Sequence, residues 1–330
     1  MLKKMTGKES GDGARHLYSP YEVRLAKLQK YGIDPTAVNS CRPPLVNCRM
    51  AKGGTGKTTI AANLATAFAF MGYRTLVIDS DPQASMTNMM GIDASSEDLI
   101  HVGNLMEQSI TNRGPADFQS AIRHIFPNGM LDIIPSDITL TNIDGWLINQ
   151  MQRETVFDRL LSANTDFLSS YDVIVADSAP GTSLLSMNIM VAAKTQLAVC
   201  WLDRESLKAL PILLSNVEEI NSAYPSHASD VEIIANGYNA SFKHNKECLE
   251  LLVAKYPRLL NENVIQQFSG FNAQQPLPGG VAKGSTIEQD HSSAGAKAMM
   301  DLAKSLLGRY KIRLAGFDES IPSIRGNGNN

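Results

Sequence analysis

A chain of 330 residues with 43% hydrophobic and 19% charged side chains holds enough apolar material for a sizeable core, as one large unit or two smaller ones. Its formal net charge of −3 excludes coating of nucleic acid by the global field, so any DNA contact has to come from a local basic patch. The cysteines, Cys41, Cys48, Cys200 and Cys248, form no C-x-x-C pair and fit free thiols of a reducing cytoplasm rather than a zinc site, and no apolar run approaches the ~18 residues of a membrane span.

Residues 1–16 are rich in Gly, Lys and small polar side chains, with a basic start and no apolar stretch behind it. That composition predicts a disordered segment and no secretion signal. From Pro20 to Lys30, Val23, Leu25 and Leu28 recur at roughly helical intervals until Gly32 and Pro35 stop the pattern, which predicts a short accessory helix. Arg42-Pro43-Pro44 marks the entry to the main domain, so the expected division is an N-terminal extension over 1–43, a main domain over 44–314 and a flexible tail over 315–330.

Within the main domain, apolar strand-like runs alternate with helical stretches. The expected strands are Leu45–Arg49, Arg74–Asp79, Leu131–Pro135, Asp172–Asp177, Gln196–Leu202, Glu232–Asn236 and Asn263–Gln267. The expected helices are Lys57–Met71, Ala116–Ile125, Thr155–Ala163, Leu184–Ala193, Ser206–Ile220, Lys243–Lys255 and Ala294–Tyr310. Strands separated by helices pair in parallel through right-handed crossovers, which gives an α/β fold: a doubly wound, mostly parallel sheet with helices on both faces.

The strongest signal is Lys52-Gly53-Gly54-Thr55-Gly56-Lys57-Thr58-Thr59, lying between a strand and a helix. A phosphate-binding loop needs glycines so that successive backbone N–H groups can point into one anion-sized nest. It needs a lysine for the β- and γ-phosphates, here Lys57, and a hydroxyl for Mg²⁺, here Thr58. The implied cofactors are ATP and Mg²⁺. A second strand ends at Asp177, which suits a carboxylate holding that metal through water. No arginine finger is evident, so slow turnover is expected.

Lys52 is an addition to the general phosphate-loop pattern, and with it the loop resembles the deviant Walker A motif, KGGxGK[ST][ST], of the ParA/MinD family of ATPases. The resemblance runs from about Leu45 to Leu314. It implies that Lys52 acts in trans, on the nucleotide of a partner subunit in an ATP-sandwich homodimer. Asp79-Ser80-Asp81-Pro82-Gln83 resembles the family's first switch, in which Asp81 orients or activates the attacking water and Asp79 sits nearer the metal shell. Taken alone, the two acids could equally cap the next helix. Asp177-Ser178-Ala179-Pro180-Gly181 keeps the family's D-x-x-P spacing, with the Gly181 N–H offered to the γ-phosphate as a second switch. Asn236 stands where members often place an amide that reads adenine, or it is an ordinary strand-end residue.

Within the family, the tail lacks a basic amphipathic membrane helix, the chain lacks placed cluster cysteines, and only Tyr310 lies near the C-terminus, which sets aside the membrane-bound, iron–sulfur and tyrosine-kinase members. The remaining reading is a cytoplasmic partition ATPase with a ParB-type or adaptor partner, associated with the nucleoid if it binds DNA without sequence preference. Two arginines common in such proteins are missing near Gly237–Phe242 and Asn272–Gln275. Lys243, Lys246, Arg309, Lys311 and Arg313 are the basic candidates for DNA contact, against the alternative of a solvated charged face. The other functional class is a nucleotide-gated interaction module that positions a protein complex without touching DNA.

Overall fold

The computed structural model describes residues 18–272, 282 and 284–317. The expected disordered start and most of the expected flexible tail lie outside the described residues. Among the described residues, one eight-stranded sheet is built from β1 (Leu45–Arg49), β2 (Thr75–Ser80), β3 (Arg123–Phe126), β4 (Leu131–Ile134), β5 (Val173–Ser178), β6 (Thr195–Trp201), β7 (Asp230–Tyr238) and β8 (Ile265–Gln266), in the order β3-β4-β2-β5-β1-β6-β7-β8. Every residue of β1, β2, β4 and β5 is buried. Such continuous burial is what parallel strands covered on both faces require, and it is why they read as unbroken apolar runs.

The main helices are α1 (Pro20–Tyr31), α2 (Lys57–Phe70), α3 (Val102–Asn112), α4 (Val156–Ala163), α5 (Leu184–Ala192), α6 (Arg204–Ala223), α7 (Lys243–Lys255) and α8 (Ala294–Arg309). On one face, Ile60, Leu64 and Phe68 of α2 and Met299, Leu302 and Leu306 of α8 cover Val77, Val175 and Val199 of the sheet. On the other, α3, α4 and α5 cover β2 and β5 through Leu105, Phe157, Leu161 and Ile189, while α6 and α7 cover β6 and β7 through Leu210, Leu213 and Leu252. The alanines of α2 are fully buried, because this helix lies between the sheet and α8 and only small side chains let it approach both. Cys48, Cys200 and Cys248 are buried free thiols and Cys41 an exposed one. Among the described residues no helix is long and apolar enough to cross a membrane.

Two expectations are corrected. The helix expected over Ala116–Ile125 is a single turn, Phe118–Ala121, capped by Asp117, followed by β3, which pairs antiparallel with β4. The hairpin turns through Asn128 and Gly129, at φ of +61° and +64°. Asn-Gly is the residue pair such turns favour, because both positions require a left-handed backbone. The helix α3 was not expected at all. Its cap is His101, whose Nδ1 accepts from Asn104 N at 3.2 Å, in place of the Ser, Thr or Asp that normally announces a helix start.

The helix α1 begins with a capping box, Ser19 with Glu22, and ends at Gly32. It is an integral part of the domain rather than an accessory. Arg24 and Leu28 form its buried face, and the Arg24 guanidinium pairs with the Asp172 carboxylate at the entry to β5. Asp172 also accepts from Arg74 N at 2.6 Å and from Ala315 N at 2.6 Å, so one carboxylate ties together α1, the start of β2 and the segment after α8. Gly72, at φ +86°, passes so close to α1 that a Cβ there would sit 2.9 Å from Arg24 N. Order also continues past the expected boundary at Leu314, with Phe317 edge-on to Tyr31 at 5.5 Å.

Removing one partner from a buried ion pair leaves the other uncompensated. Arg24→Met is therefore expected to lower the free energy of unfolding by about 3 kcal/mol, measured by urea denaturation, whereas Lys30→Ala on the exposed face should change it by less than about 0.5 kcal/mol.

Candidate nucleotide site

Strand β1 lies between β5 and β6, and the sheet extends from it in both directions. The chain leaving its carboxyl end therefore enters the crevice where the strand order diverges, the usual ligand position in open α/β sheets. It turns through Gly54 and Gly56, at φ of +75° and +87°, before α2 begins. A Cβ on Gly56 would stand 2.5 Å from Asn236 Nδ2, so both the backbone conformation and the space demand glycine. Gly53 and Gly54 are exposed, Thr55 is buried, and Thr58 and Thr59 open the first turn of α2, whose N–H groups have no side-chain cap. Unclaimed amides at a helix start attract anions.

Lys57 is buried and curls back over the loop, its Nζ donating to the Lys52 carbonyl at 3.4 Å. Burial pulls its pKa down, and the negative charges of Asp177 and Asp81 oppose that. Lys52 behaves differently. Its Nζ lies 2.7 Å from Asp203 Oδ2, and each of the two side chains is 34% exposed. Asp203 also caps α6, accepting from Ser206 N at 2.6 Å. One lysine thus serves the inside of the loop and the other its outer surface.

The two carboxylates at the sheet edge sit in direct register, Asp79 opposite Asp177. Burial, reinforced by Asp79, pushes the pKa of Asp177 well above the usual carboxylate range, with the nearby Thr58 hydroxyl and Lys57 acting against the shift. Neither Asp177 oxygen has a donor at hydrogen-bonding geometry. A buried carboxylate without donors beside a threonine hydroxyl fits a hydrated divalent cation, which would supply the missing partners. Among the described residues no group of three or more His, Cys, Asp or Glu could hold a metal ion.

Asp79 is tied to the segment that follows its own strand. Its Oδ2 accepts from Thr87 N at 2.9 Å and Thr87 Oγ1 at 2.7 Å, and its Oδ1 accepts from Asp81 N at 3.1 Å. Both oxygens brace the loop after β2. Asp81 is partly exposed, and its Oδ1 accepts from Gln83 N at 2.9 Å. Gly181, at φ +96°, lies in the loop after β5, where its carbonyl accepts from Arg49 Nη2 at 2.7 Å. Asn236 is a brace as well: its Nδ2 donates to the Thr55 carbonyl at 2.9 Å and its Oδ1 accepts from Gly237 N at 2.9 Å.

The five basic candidates do not form one patch. Lys243 and Lys246 are exposed at the start of α7, just beyond the carboxyl end of β7 and on the same side of the sheet as the phosphate loop. Arg309, Lys311 and Arg313 lie at the opposite end, near the strand starts. There Arg309 pairs with the buried Glu232 at 3.1 Å and donates to the Arg258 carbonyl, and Arg313 stacks 5.8 Å from the Phe317 ring.

Sequence reasoning passed over Arg49, Asn47 and Ser178. Asn47 accepts from Ser178 Oγ at 2.6 Å and donates to Gln196 Oε1 at 2.9 Å, a buried polar chain across β5, β1 and β6 beneath the site. Asn47 and Arg49, two residues apart in an otherwise apolar β1, are the signal that could have found it.

Comparison with known proteins gives the family. Residues 45–231 match the AAA domain family. The cell division protein PomZ of Myxococcus xanthus is 31% identical over 258 residues, covering 78% of this chain and 76% of that protein. The chromosome-partitioning ATPase Soj of Treponema pallidum is 26% identical over 259 residues, covering 78% of this chain and 94% of that protein. In fold, the ATP complex of McdA from Cyanothece superposes with a TM-score of 0.67 at 17% identity, covering 81% of this chain and 97% of that one.

The two acids after β2 separate by experiment. Asp79→Ala strands three donors and is expected to cost about 2 kcal/mol of stability, while Asp81→Ala should cost less than about 0.5 kcal/mol. Burial raises Asp79 to about 6 against an ordinary value of 3.8. The folded chain then holds this proton more tightly than the unfolded one, so the group's contribution to stability falls as pH rises between about 4 and 6 and is flat above. Asp79→Asn should remove that part of the slope in urea titrations across the same range.

Proposed function

The chain belongs to the ParA/MinD-type family of partition ATPases, and on that premise we propose that it is an ATP-driven positioning switch whose two lysines act on two nucleotides. Lys57 holds the phosphates of the subunit's own ATP, Lys52 reaches the nucleotide of a second copy, and slow hydrolysis, accelerated by a ParB-type or adaptor partner, returns the pair to monomers. The observation that carries this reading is the opposite placement of the lysines, one buried over its own loop and one at the surface, paired only with Asp203. PomZ and Soj, named for cell division and chromosome partitioning, support a positioning role.

In the proposed chemistry, the Gly53–Thr59 backbone and Lys57 cradle the phosphates, and Thr58 and Asp177 hold Mg²⁺, the latter through water. The metal neutralises charge on the phosphate oxygens when bound. Asp81 orients a water whose oxygen attacks the terminal phosphorus as the bond to the ADP oxygen breaks. Asp79 holds Asp81 in place, and the Gly181 N–H faces the terminal phosphate.

A contact with DNA, where it occurs, falls to Lys243 and Lys246 at the nucleotide end of the sheet, since Arg309 is engaged by Glu232. The same engagement favours the second reading, a module that positions a protein complex without touching DNA.

Lys57→Ala is expected to abolish ATP binding, whereas Lys52→Ala should bind ATP within about threefold of wild type and fail to dimerise. Isothermal titration and sedimentation with ATP separate the two; an ATP-dependent dimer in Lys52→Ala would refute the role in trans. If the protein binds DNA, binding should appear with ATP, vanish with ADP and weaken steeply with salt. Replacing Lys243 and Lys246 by alanine should reduce the log–log salt slope by about one unit per lost phosphate contact. An ATP dimer that ignores DNA at low salt would leave the protein-positioning module as the reading.

A further inference from the structure

Arg49 ends β1 immediately before the phosphate loop and is only 1% exposed. Its Nη2 donates to the Gly181 carbonyl at 2.7 Å, while Nε and Nη1 have no acceptor among the described residues. It forms no ion pair among them. The contrast is with Arg24, which is buried to the same degree and is neutralised by Asp172. Burial draws the pKa of Arg49 down to about 10, which leaves it charged at neutral pH, and that charge is felt at Lys57. A buried guanidinium without a counter-ion is costly, and no protein group here offsets it. The position needs an anion from outside, and the nearest place for one is the phosphate loop.

We propose that Arg49 is a positioning residue for ATP hydrolysis, a stimulatory arginine supplied from within the same subunit that fixes the Gly181 loop and whose charge is offset only when a terminal phosphate is bound. It acts through the Gly181 carbonyl, setting the direction of the adjoining N–H groups, and neither gives nor takes a proton. The inference rests on the reading of Gly181 as the loop that faces the terminal phosphate.

The test uses full-length Arg49→Gln and Arg49→Ala. Removing an unpaired buried charge should leave the melting temperature of the nucleotide-free protein unchanged or raised, the opposite of what loss of a structural arginine does. The affinity for ADP should stay within about twofold, and the KM for ATP within about threefold, while kcat falls about tenfold or more. Guanidinium ion at non-denaturing concentration should restore turnover several-fold in Arg49→Ala and do nothing for Lys57→Ala. Turnover of Arg49→Gln within about twofold of wild type overturns the proposal, as does a loss of turnover that accompanies a lower melting temperature and ignores guanidinium. A wild-type protein that binds no ADP overturns the nucleotide site itself. One that binds and hydrolyses ATP while Arg49→Gln does so equally well overturns the role of Arg49 alone.

Discussion

The rest of the structure depends on burying charges of both signs at the carboxyl ends of the central strands. Asp79 and Asp177 face each other in register, both essentially inaccessible, with Arg49 and Lys57 buried beside them. In a low-dielectric site such charges interact strongly, and each must be satisfied or neutralised. Asp79 is satisfied by three donors from the loop it holds. Asp177 and most of the Arg49 guanidinium are not satisfied by anything among the described residues. The site is therefore internally complete as a scaffold and electrostatically incomplete as a charge array. A polyanion with a divalent cation would correct both deficits at once: the cation would meet Asp177, and the phosphate charge would offset Arg49.

Holding that array in place takes polar connections beneath it as well as packing. Thr87 Oγ1 donates to Asp79 and accepts from Ser136 N at 2.8 Å, so the loop after β2 is fixed to the end of β4. Ser80 Oγ donates to the Asp177 carbonyl at 2.7 Å, and Ser178 Oγ reaches Asn47, joining β2, β5 and β1 at the same level. Asn236 clamps the phosphate loop from β7. Each of these bonds is worth only about 1 kcal/mol, yet together they fix every strand end that contributes to the site. Rigid placement matters more than any single contact, because phosphoryl transfer is governed by positioning and charge.

Much of this was legible in the sequence where local and global signals agreed. The phosphate loop carries its own conformational requirement in Gly54 and Gly56, and the parallel strands announce themselves as apolar runs ending in Asp79 and Asp177. The expected helix over Ala116–Ile125 takes in most of the antiparallel β3, whose local marker is the Asn128-Gly129 turn that follows it. The helix α3 was missed because a histidine caps it. At the site, residue type revealed which groups could do chemistry but not which were already engaged. Asp79, Asn236 and Arg309 read as available ligands, and only the fold shows their hydrogen bonds to Thr87, Thr55 and Glu232. Arg24 and Arg49 carry no sequence signal of their burial. Their burial depends on partners distant in sequence, Asp172 and Gly181, which no local pattern discloses.

The pairing of Lys52 with Asp203 completes the logic of a switch. An exposed ion pair contributes about 1 kcal/mol or less, so it can hold Lys52 in one orientation without opposing its departure. Lys57, in contrast, is buried and directed by the loop itself, so its position does not depend on a second subunit. On the proposed reading, the strongly fixed lysine makes nucleotide binding a property of the monomer, and the weakly fixed one leaves dimerisation dependent on what a partner subunit offers in place of Asp203. A lysine held rigidly on the outer face would resist that exchange, and one with no partner would lose side-chain entropy on association. The marginal ion pair lies between those limits, which is where a reversible, nucleotide-timed association needs it.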